Sequence, residues 1–160
     1  MTDNEKRLLW IGAALLLLGG GVSMYSQYRQ RGIRNNNPGN LILTNINWQG
    51  KVPRASNTDG KFEQFTSPLM GIRAMYLDIR GDVRRGADTL RKRITRYAPP
   101  SENNTAAYIA TVAKAIGKGA DQTLTAADFP ALLAAIIKHE NGINPYPADL
   151  IRQAIAAAGG

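Results

Sequence analysis

Glu140 stands where an apolar run breaks off, in the stretch IIKHENGINPY at residues 136 to 146. The residues at helical spacing i, i+3, i+4 and i+7 around it are Leu133, Ile136, Ile137 and Glu140. Such residues share one face of a helix, and a carboxyl group on an apolar face has a raised pKa that suits a proton donor. The alternative is a frayed last turn in which Glu140 faces water. The pattern alone leaves a general acid and a solvated helix end both open.

His139 is the only histidine of the chain, and there is no cysteine. On a helix it lies about 100° from Glu140 and shares a face with Leu132 and Ala135, which predicts a packing role rather than a catalytic base. One imidazole and no thiolate exclude the usual zinc sites and any HExxH helix. We therefore expect no metal and no cofactor.

Two further polar stretches could bind a substrate. APPSENNTAAYIATV contains Glu102, Asn103 and Thr105, which fit either a helix start or a site. RGIRNNNPGNL presents amides whose donor and acceptor ends match sugar hydroxyl and acetamido groups, although turn chemistry alone explains them as well. The amides of this second stretch are those of Asn35, Asn36, Asn37 and Asn40.

The net charge of +8 and the pI near 10 predict attraction to a polyanion, either nucleic acid, anionic lipid or an acidic wall polymer. Residues 73 to 96 contain eight Arg or Lys against Asp78, Asp82 and Asp88. Such a run is usually a solvated face, and it lacks the interleaved aromatic residues of an RNA-reading surface. Nucleic acid is therefore the less favoured partner.

The elements that would position these residues are mostly helices. Ser67 as N-cap and Pro68 at the first position predict a helix whose packed face includes Ile72, Met75 and Ile79. A short basic helix ends at the two prolines 99 and 100, and a third helix has Thr105 as N-cap and Gly117 as its stop. The helix of Glu140 has Pro130 in its first turn and Gly142 just beyond its end, and YPADLIRQAIAAAGG forms a last helix.

Before these helices, residues 31 to 66 are rich in Asn and Gly, with short apolar pieces that could pair as strands. The predicted fold class is thus mainly α with a small β or irregular region. The 160 residues are enough for about one domain, and we find no internal repeat.

An uncharged stretch of seventeen residues, 8 to 24, precedes the domain. At about 1.5 Å per residue it reaches the lower limit for crossing a hydrocarbon core of about 30 Å. The preferred interpretation is a transmembrane signal anchor over residues 1 to 29, flanked by the aromatic Trp10, Tyr25 and Tyr28, ahead of a domain over residues 30 to 160. A cleaved secretory signal and a buried helix are the alternatives.

Taken in order, RGIRNNNPGNL, FEQFTSPLMGIRA, YAPPSENNTAAYI and AIIKHENGINPY resemble phage-encoded, peptidoglycan-degrading proteins of the lysozyme-like superfamily, of the lytic transglycosylase or endolysin type. The resemblance spans about residues 31 to 155. AIIKHENGINPY is similar to the ESGFNP segment of soluble lytic transglycosylases and goose-type lysozymes, with Glu140 at the position of the catalytic glutamate. That segment precedes the polar turn in those families and follows it here, an order reminiscent of a circular permutation.

The resemblance implies an enzyme that cuts the glycan strands of peptidoglycan, with Glu140 as general acid and Glu102 as the competing candidate. It implies sugar contacts by the amides of Asn35, Asn36, Asn37, Asn40 and Asn103, and a cleft lined by Thr105, Tyr108 and Tyr146. A hydrolase needs a second carboxylate, at about 5 to 5.5 Å for retention or about 6.5 to 9.5 Å for inversion, whereas a lytic transglycosylase does not. Asp59, Glu63 and Glu102 are the available partners, and none has a compelling spacing, which favours transglycosylase-like chemistry.

The expected partners are peptidoglycan, a lipid bilayer through residues 8 to 24, and other virion proteins. The domain would face the periplasm or cell wall, and the protein would be either a component of the virion membrane or a free endolysin. Two other classes remain open: a wall-binding module without catalysis, and a membrane-anchored, nucleic-acid-binding virion structural protein.

Overall fold

α-Helices provide nearly all of the regular structure in residues 31–101 and 104–160, the part of the chain that this computed structural model describes. A helical turn at residues 31 to 34 and single 3-10 turns at Arg54–Ser56 and Ala126–Asp128 add to them. The prediction of a mainly α fold is confirmed. In chain order the helices are α1 (Pro68–Arg84), α2 (Leu90–Tyr97), α3 (Thr105–Ile116), α4 (Phe129–Asn141) and α5 (Ala148–Ala156).

The helix ends follow from capping chemistry. Ser67 Oγ accepts a hydrogen bond from the Met70 backbone N–H at 3.4 Å, and Pro68 takes the first position of α1. Gly117 and Gly142 end α3 and α4 in the left-handed region, with φ of 65° and 76°. The chain therefore turns away directly after Glu140 and its neighbour Asn141.

The predicted N-cap of α3 is corrected by one residue. Asn104, not Thr105, caps the helix, because its side chain accepts a hydrogen bond from the Ala107 backbone N–H at 3.1 Å. Thr105 is the first helical residue, and its buried hydroxyl donates to the Ala98 carbonyl at 2.6 Å. Thr105 thus ties the start of α3 to the end of α2.

The main core lies around α4, whose apolar side chains pack between α1, α3 and α5. α1 packs along α5, and α2 packs against α3. This arrangement encloses the apolar face of α4 up to its last turn and leaves its C-terminal end next to residues 38 to 40. The fully buried residues of the main core include Ile72, Ile79, Leu90, Ile94, Val112, Leu132, Leu133, Ile136 and Ile137.

Residues 35 to 66 form the irregular region that was predicted, with isolated antiparallel bridges in place of strands. Ile42 pairs with Phe62, and Lys51 pairs with Phe65. A second, small core of Leu41, Phe65 and Ala74, with Trp48 and Met70 packed on it, fixes this region against α1.

No helix in the described residues is long and apolar enough to cross a bilayer. The predicted anchor at residues 8 to 24 lies outside the described part of the chain.

Candidate functional site

Glu140 lies in the last turn of α4, on the same stripe as the buried Leu133, Ile136 and Ile137. Glu140 as a residue is half-buried, whereas its apolar neighbours on the helix are enclosed in the core. The helix does not fray before Glu140, because α4 runs to Asn141. The carboxyl group therefore stands at the rim of the apolar core.

Two side chains from distant parts of the chain donate hydrogen bonds to this carboxyl group. Tyr108 of α3 donates its hydroxyl proton to Oε1 at 2.9 Å. Asn40 donates from Nδ2 to Oε2 at 3.2 Å, across 100 positions of sequence. Each carboxyl oxygen thus has a donor of its own.

A second tyrosine, Tyr97 at the end of α2, completes the surroundings of Glu140. Its buried hydroxyl donates its proton to the Gly39 carbonyl at 2.7 Å, and its proximity lowers the pKa of the Glu140 carboxyl group. The rings of Tyr97 and Tyr108 meet edge to face, with centroids 6.2 Å apart and planes at 86°. Tyr97 was not among the site residues predicted from the sequence; the available signal was its i, i+3 spacing from Ile94 on a short amphipathic helix.

Burial raises the pKa of Glu140, and hydrogen bonds from Tyr108, Asn40 and Tyr97 oppose this rise without cancelling it. Burial, together with the negative charge of Glu140, also raises the pKa of Tyr97 and of Tyr108 well above the usual range for tyrosine. Both phenols therefore stay protonated. The site is a carboxylic acid biased toward its neutral form and surrounded by neutral donors.

His139 stacks face to face on Tyr108, with ring centroids 3.5 Å apart and planes 16° from parallel. The imidazole thus supports the ring whose hydroxyl contacts Glu140, a packing role of the kind expected from its position on the helix.

The four predicted amides of the Asn turn (residues 35 to 40) separate into different roles. Asn40 alone reaches the acid. Its backbone adopts a φ of 50°, the left-handed conformation that asparagine tolerates better than other side chains with a Cβ. Asn36 shares that φ, and its Nδ2 donates to the Phe65 carbonyl at 3.0 Å.

Asn37 is corrected from a sugar ligand to a turn residue. It has no exposed surface, and its Nδ2 donates to the carbonyls of Leu41 and Glu63 while its Oδ1 accepts from the Leu41 N–H. With both ends of the amide occupied, it has no group left for a ligand. Asn35 is likewise buried between Asp59 and Gln64.

The remaining predicted site residues either pack in or against the core or lie outside the described part of the chain. Thr105 is buried against Ala98 and does not line an open cleft. Tyr146 is half-buried against the main core, and its hydroxyl oxygen is enclosed without a hydrogen-bond partner in the described part of the chain. Glu102 and Asn103 lie outside the described residues.

The two described carboxylates that could have assisted Glu140 are engaged elsewhere. Asp59 receives Arg31 through Nε and Nη2, both at 2.5 Å, and Asn35 at 2.7 Å. Burial raises the pKa of Asp59, but these bonds and a backbone N–H outweigh it and lower the pKa to about 2. Glu63 is fully buried and holds Lys51 at 2.8 Å and the Thr44 N–H at 2.9 Å.

Five of the eight basic residues from Arg73 to Arg96 pair with neighbouring acids. Arg93 is buried, 3.3 Å from both Asp78 and Asp82. Further pairs are Arg85 and Arg96 with Asp82, Lys92 with Asp88, and Arg91 with Asp121. Within the described residues, no group of three His, Cys, Asp or Glu side chains could hold a metal ion.

No family model matches the chain. The chain is 37% identical over 156 residues to Protein P5 of Pseudoalteromonas phage PM2, an alignment that covers 93% of this chain and 94% of that protein. The expected relation to bacteriophage proteins is thereby confirmed.

Proposed function

We propose that this chain, which belongs to the family of Protein P5 of Pseudoalteromonas phage PM2, cleaves the glycan strands of bacterial peptidoglycan with Glu140 as general acid. One observation carries the proposal: a carboxyl group with a raised pKa, on a half-buried residue, that Tyr108 and Asn40 hold at the C-terminal end of a core helix. Cleavage of a glycosidic bond requires an acid that is still protonated near neutral pH.

The surroundings of Glu140 suit both halves of a proton transfer. Before the reaction, burial raises the pKa of the carboxyl group and so favours the protonated form that can donate to the leaving glycosidic oxygen. After the transfer, the two oxygens of the carboxylate already accept hydrogen bonds from Tyr108 and Asn40. These donors lower the cost of forming the anion without ionising the acid beforehand, because neither carries a charge.

Among the described residues, the state of the candidate second carboxylates favours a lytic transglycosylase over a hydrolase. A hydrolase uses a second carboxylate as nucleophile or base. Asp59 is saturated by Arg31 and Asn35, and Glu63 has no exposed surface. A transglycosylase needs only the acid, because a substituent of the sugar captures the positive centre that forms when the bond breaks.

The proposed setting is a lysozyme-like domain anchored through residues 8 to 24, with the domain facing the periplasm or cell wall during phage entry or release. The net charge of +8 favours association with anionic wall polymers and lipid headgroups. The pairing of Arg91, Lys92 and Arg93 with acids of the same chain argues against a phosphate-binding surface on α2. Nucleic acid is not proposed as a partner.

Clearing of purified peptidoglycan by wild type and Glu140→Gln tests the proposal. The amide keeps the shape of the side chain but has no acidic proton, so we expect a loss of about 10² to 10⁴ in rate. Glu102→Gln is the matched comparison and should retain activity. If Glu140→Gln clears peptidoglycan at the wild-type rate, Glu140 is not the acid.

Mass spectrometry of the released fragments separates the two reaction types. Anhydro-sugar ends indicate a transglycosylase, and reducing ends indicate a hydrolase. Intact glycan strands that stay bound to the protein would instead identify a wall-binding module without catalysis, and intact strands with cut peptides would exclude both glycan-cleaving reactions.

A further inference from the structure

Asn141 follows the acid directly, and its buried side chain contacts the same turn of the chain as Glu140 does. Nδ2 donates to the Pro38 carbonyl at 2.8 Å and to the Ile137 carbonyl of its own helix at 2.9 Å. Both partners are acceptors, which fixes the orientation of the amide. Two adjacent residues at the end of α4 therefore bind the turn at residues 38 to 40: Asn141 hydrogen-bonds to Pro38, and Glu140 hydrogen-bonds to Asn40.

We propose that Asn141 is a positioning residue: it fastens the Pro38 to Asn40 turn to the end of α4 and so keeps the Asn40 amide on the Glu140 carboxyl group. The inference rests on the proposed function. It extends that function because Asn141 takes no direct part in the reaction. It also gives the Asn turn the role of positioning the acid instead of binding the sugar.

The turn has a second contact with the site that depends on the same fastening. The Gly39 carbonyl, between Pro38 and Asn40, accepts the Tyr97 hydroxyl proton at 2.7 Å. A shift of the turn would therefore disturb Asn40 and Tyr97 together. Asn37 fastens the part of the Asn turn away from the acid through hydrogen bonds to Leu41 and Glu63. Asn141 therefore fastens the part that faces the acid.

Gly32 provides an independent line of support. A Cβ added to Gly32 would lie 2.5 Å from Asn141 Oδ1 and 2.8 Å from Asn40 Oδ1. In the described residues no donor reaches Asn141 Oδ1, and this oxygen rests against the glycine instead. A side chain at position 32 would push on both amides at once, so the close approach requires glycine.

The first variant is Asn141→Leu, which keeps the number of side-chain heavy atoms and removes the donor. We expect kcat on purified peptidoglycan to fall by about tenfold to a hundredfold with KM within about twofold, since a misplaced catalytic group costs this much. If Asn141 acts through the turn that carries Gly39 and Asn40, the double variant Asn40→Ala, Asn141→Leu will lose less than the product of the two single losses, and the remaining loss reports the Tyr97 contact. Losses that multiply would overturn the proposal.

A readout that does not need activity is the pKa of Glu140, followed by NMR on protein labelled at the side-chain carboxyl carbon of glutamate. The chain has only four glutamates, and Glu140→Gln assigns the signal. Because the Asn40 hydrogen bond lowers the pKa of Glu140, we expect this pKa to rise in Asn141→Leu. The other titratable groups around Glu140, which are Tyr97, Tyr108, His139 and Arg93, are unchanged in the variant.

Gly32→Ala tests the same contact if Asn141→Leu does not fold. Position 32 lies in the helical turn at residues 31 to 34, so alanine adds no backbone strain there. It should lower kcat and shift the Glu140 pKa, whereas Gly119→Ala, whose Cβ meets only Gln122 at an ordinary 3.4 Å, should do neither. The core variant Ile151→Val controls for loss of stability alone.

The two proposals fail differently. Failure of the wild type to clear purified peptidoglycan would refute the function, and wild-type clearing by Glu140→Gln would refute Glu140 as its acid. Either outcome leaves the NMR experiment valid. An unchanged Glu140 pKa and unchanged kcat in both Asn141→Leu and Gly32→Ala would refute the role of Asn141 and leave the function standing.

Discussion

Two phenols and one amide surround the carboxyl group of Glu140, and the chemistry of the site follows from that choice of residues. A lysine or arginine at position 108 or 40 would bind the carboxyl group more strongly, but its charge would hold Glu140 ionised and unable to donate a proton. Neutral donors orient the acid and still allow burial to keep it protonated. The buried Tyr97 and Tyr108, with their raised pKa, cannot supply a competing charge.

Replacement of Tyr108 by Phe removes the donor to Oε1 and keeps the ring on which His139 stacks. Because this hydrogen bond lowers the pKa of Glu140, we expect the alkaline limb of the rate–pH profile to move to higher pH. Hydrogen bonds to charged groups are worth about 1.5 to 3 kcal/mol, so kcat should also fall by about tenfold or more. The measurement is kcat on purified peptidoglycan as a function of pH.

Tyr76→Phe is the matched control for this variant, because Tyr76 is equally buried but packs edge to face on Phe129, away from the acid. Its profile should coincide with that of the wild type. A Tyr108→Phe profile that also coincides with the wild type would show that the phenol does not act on Glu140.

At the scale of elements, α4 and the Asn turn were predictable to different degrees. Pro130, Gly142 and the apolar spacing of Leu133 and Ile137 determine where α4 lies and which face it buries, so Glu140 could be placed from the sequence. The amides of the turn could not be sorted, because the partners that distinguish them are distant in sequence: Glu63 lies 26 positions from Asn37, and Glu140 lies 100 positions from Asn40. Only tertiary packing determines which amide hydrogen-bonds to backbone groups and which one hydrogen-bonds to the Glu140 carboxyl group.

The helical turn at residues 31 to 34 is joined to the loop around Asp59 by one ion pair. The pKa of Asp59, about 2 instead of 3.8, means that the folded state favours the carboxylate. This stability is present above pH 3.8 and is lost as pH falls through about 2. We expect Asp59→Asn to lower the free energy of unfolding at pH 7 by about 2 kcal/mol.

Urea unfolding of the two proteins at pH 7 and near pH 2 measures this difference, which should shrink toward zero at the acidic end. Asp149→Asn is a suitable control, since that carboxylate is exposed and pairs only with a neighbour on its own helix. An Asp59→Asn protein as stable as the wild type at pH 7 would contradict the assignment.

For the whole molecule, the raised pKa of Glu140 is a cost in stability. The folded state binds the Glu140 proton more tightly than the unfolded chain does. The stabilisation of the fold by protonated Glu140 is therefore complete below the ordinary pKa of 4.5 and is lost as pH rises through the pKa of the folded state. At pH 7 the protein carries a partly desolvated acid that the fold does not need. Stability and the proposed activity are therefore opposed at this position.

Glu140→Gln should consequently be more stable than the wild type at pH 7, with a Tm higher by on the order of a few degrees. Below pH 4.5 the two proteins should unfold at nearly the same temperature, because the wild-type side chain is then neutral as well. Thermal unfolding followed by circular dichroism at pH 4 and pH 7 measures both differences. A variant less stable than the wild type at pH 7 would show that the Glu140 carboxylate stabilises the fold.

The stack of His139 on Tyr108 gives the molecule a spectroscopic reporter of its own. The chain has one imidazole, so its ring protons produce a single set of signals without isotope labelling. Because the two rings lie face to face at 3.5 Å, the ring current of Tyr108 will displace those signals upfield. A wall fragment that moves Tyr108 as it settles beside Glu140 would then be visible in a one-dimensional proton spectrum, and its dissociation constant could be read from a titration of a single resonance.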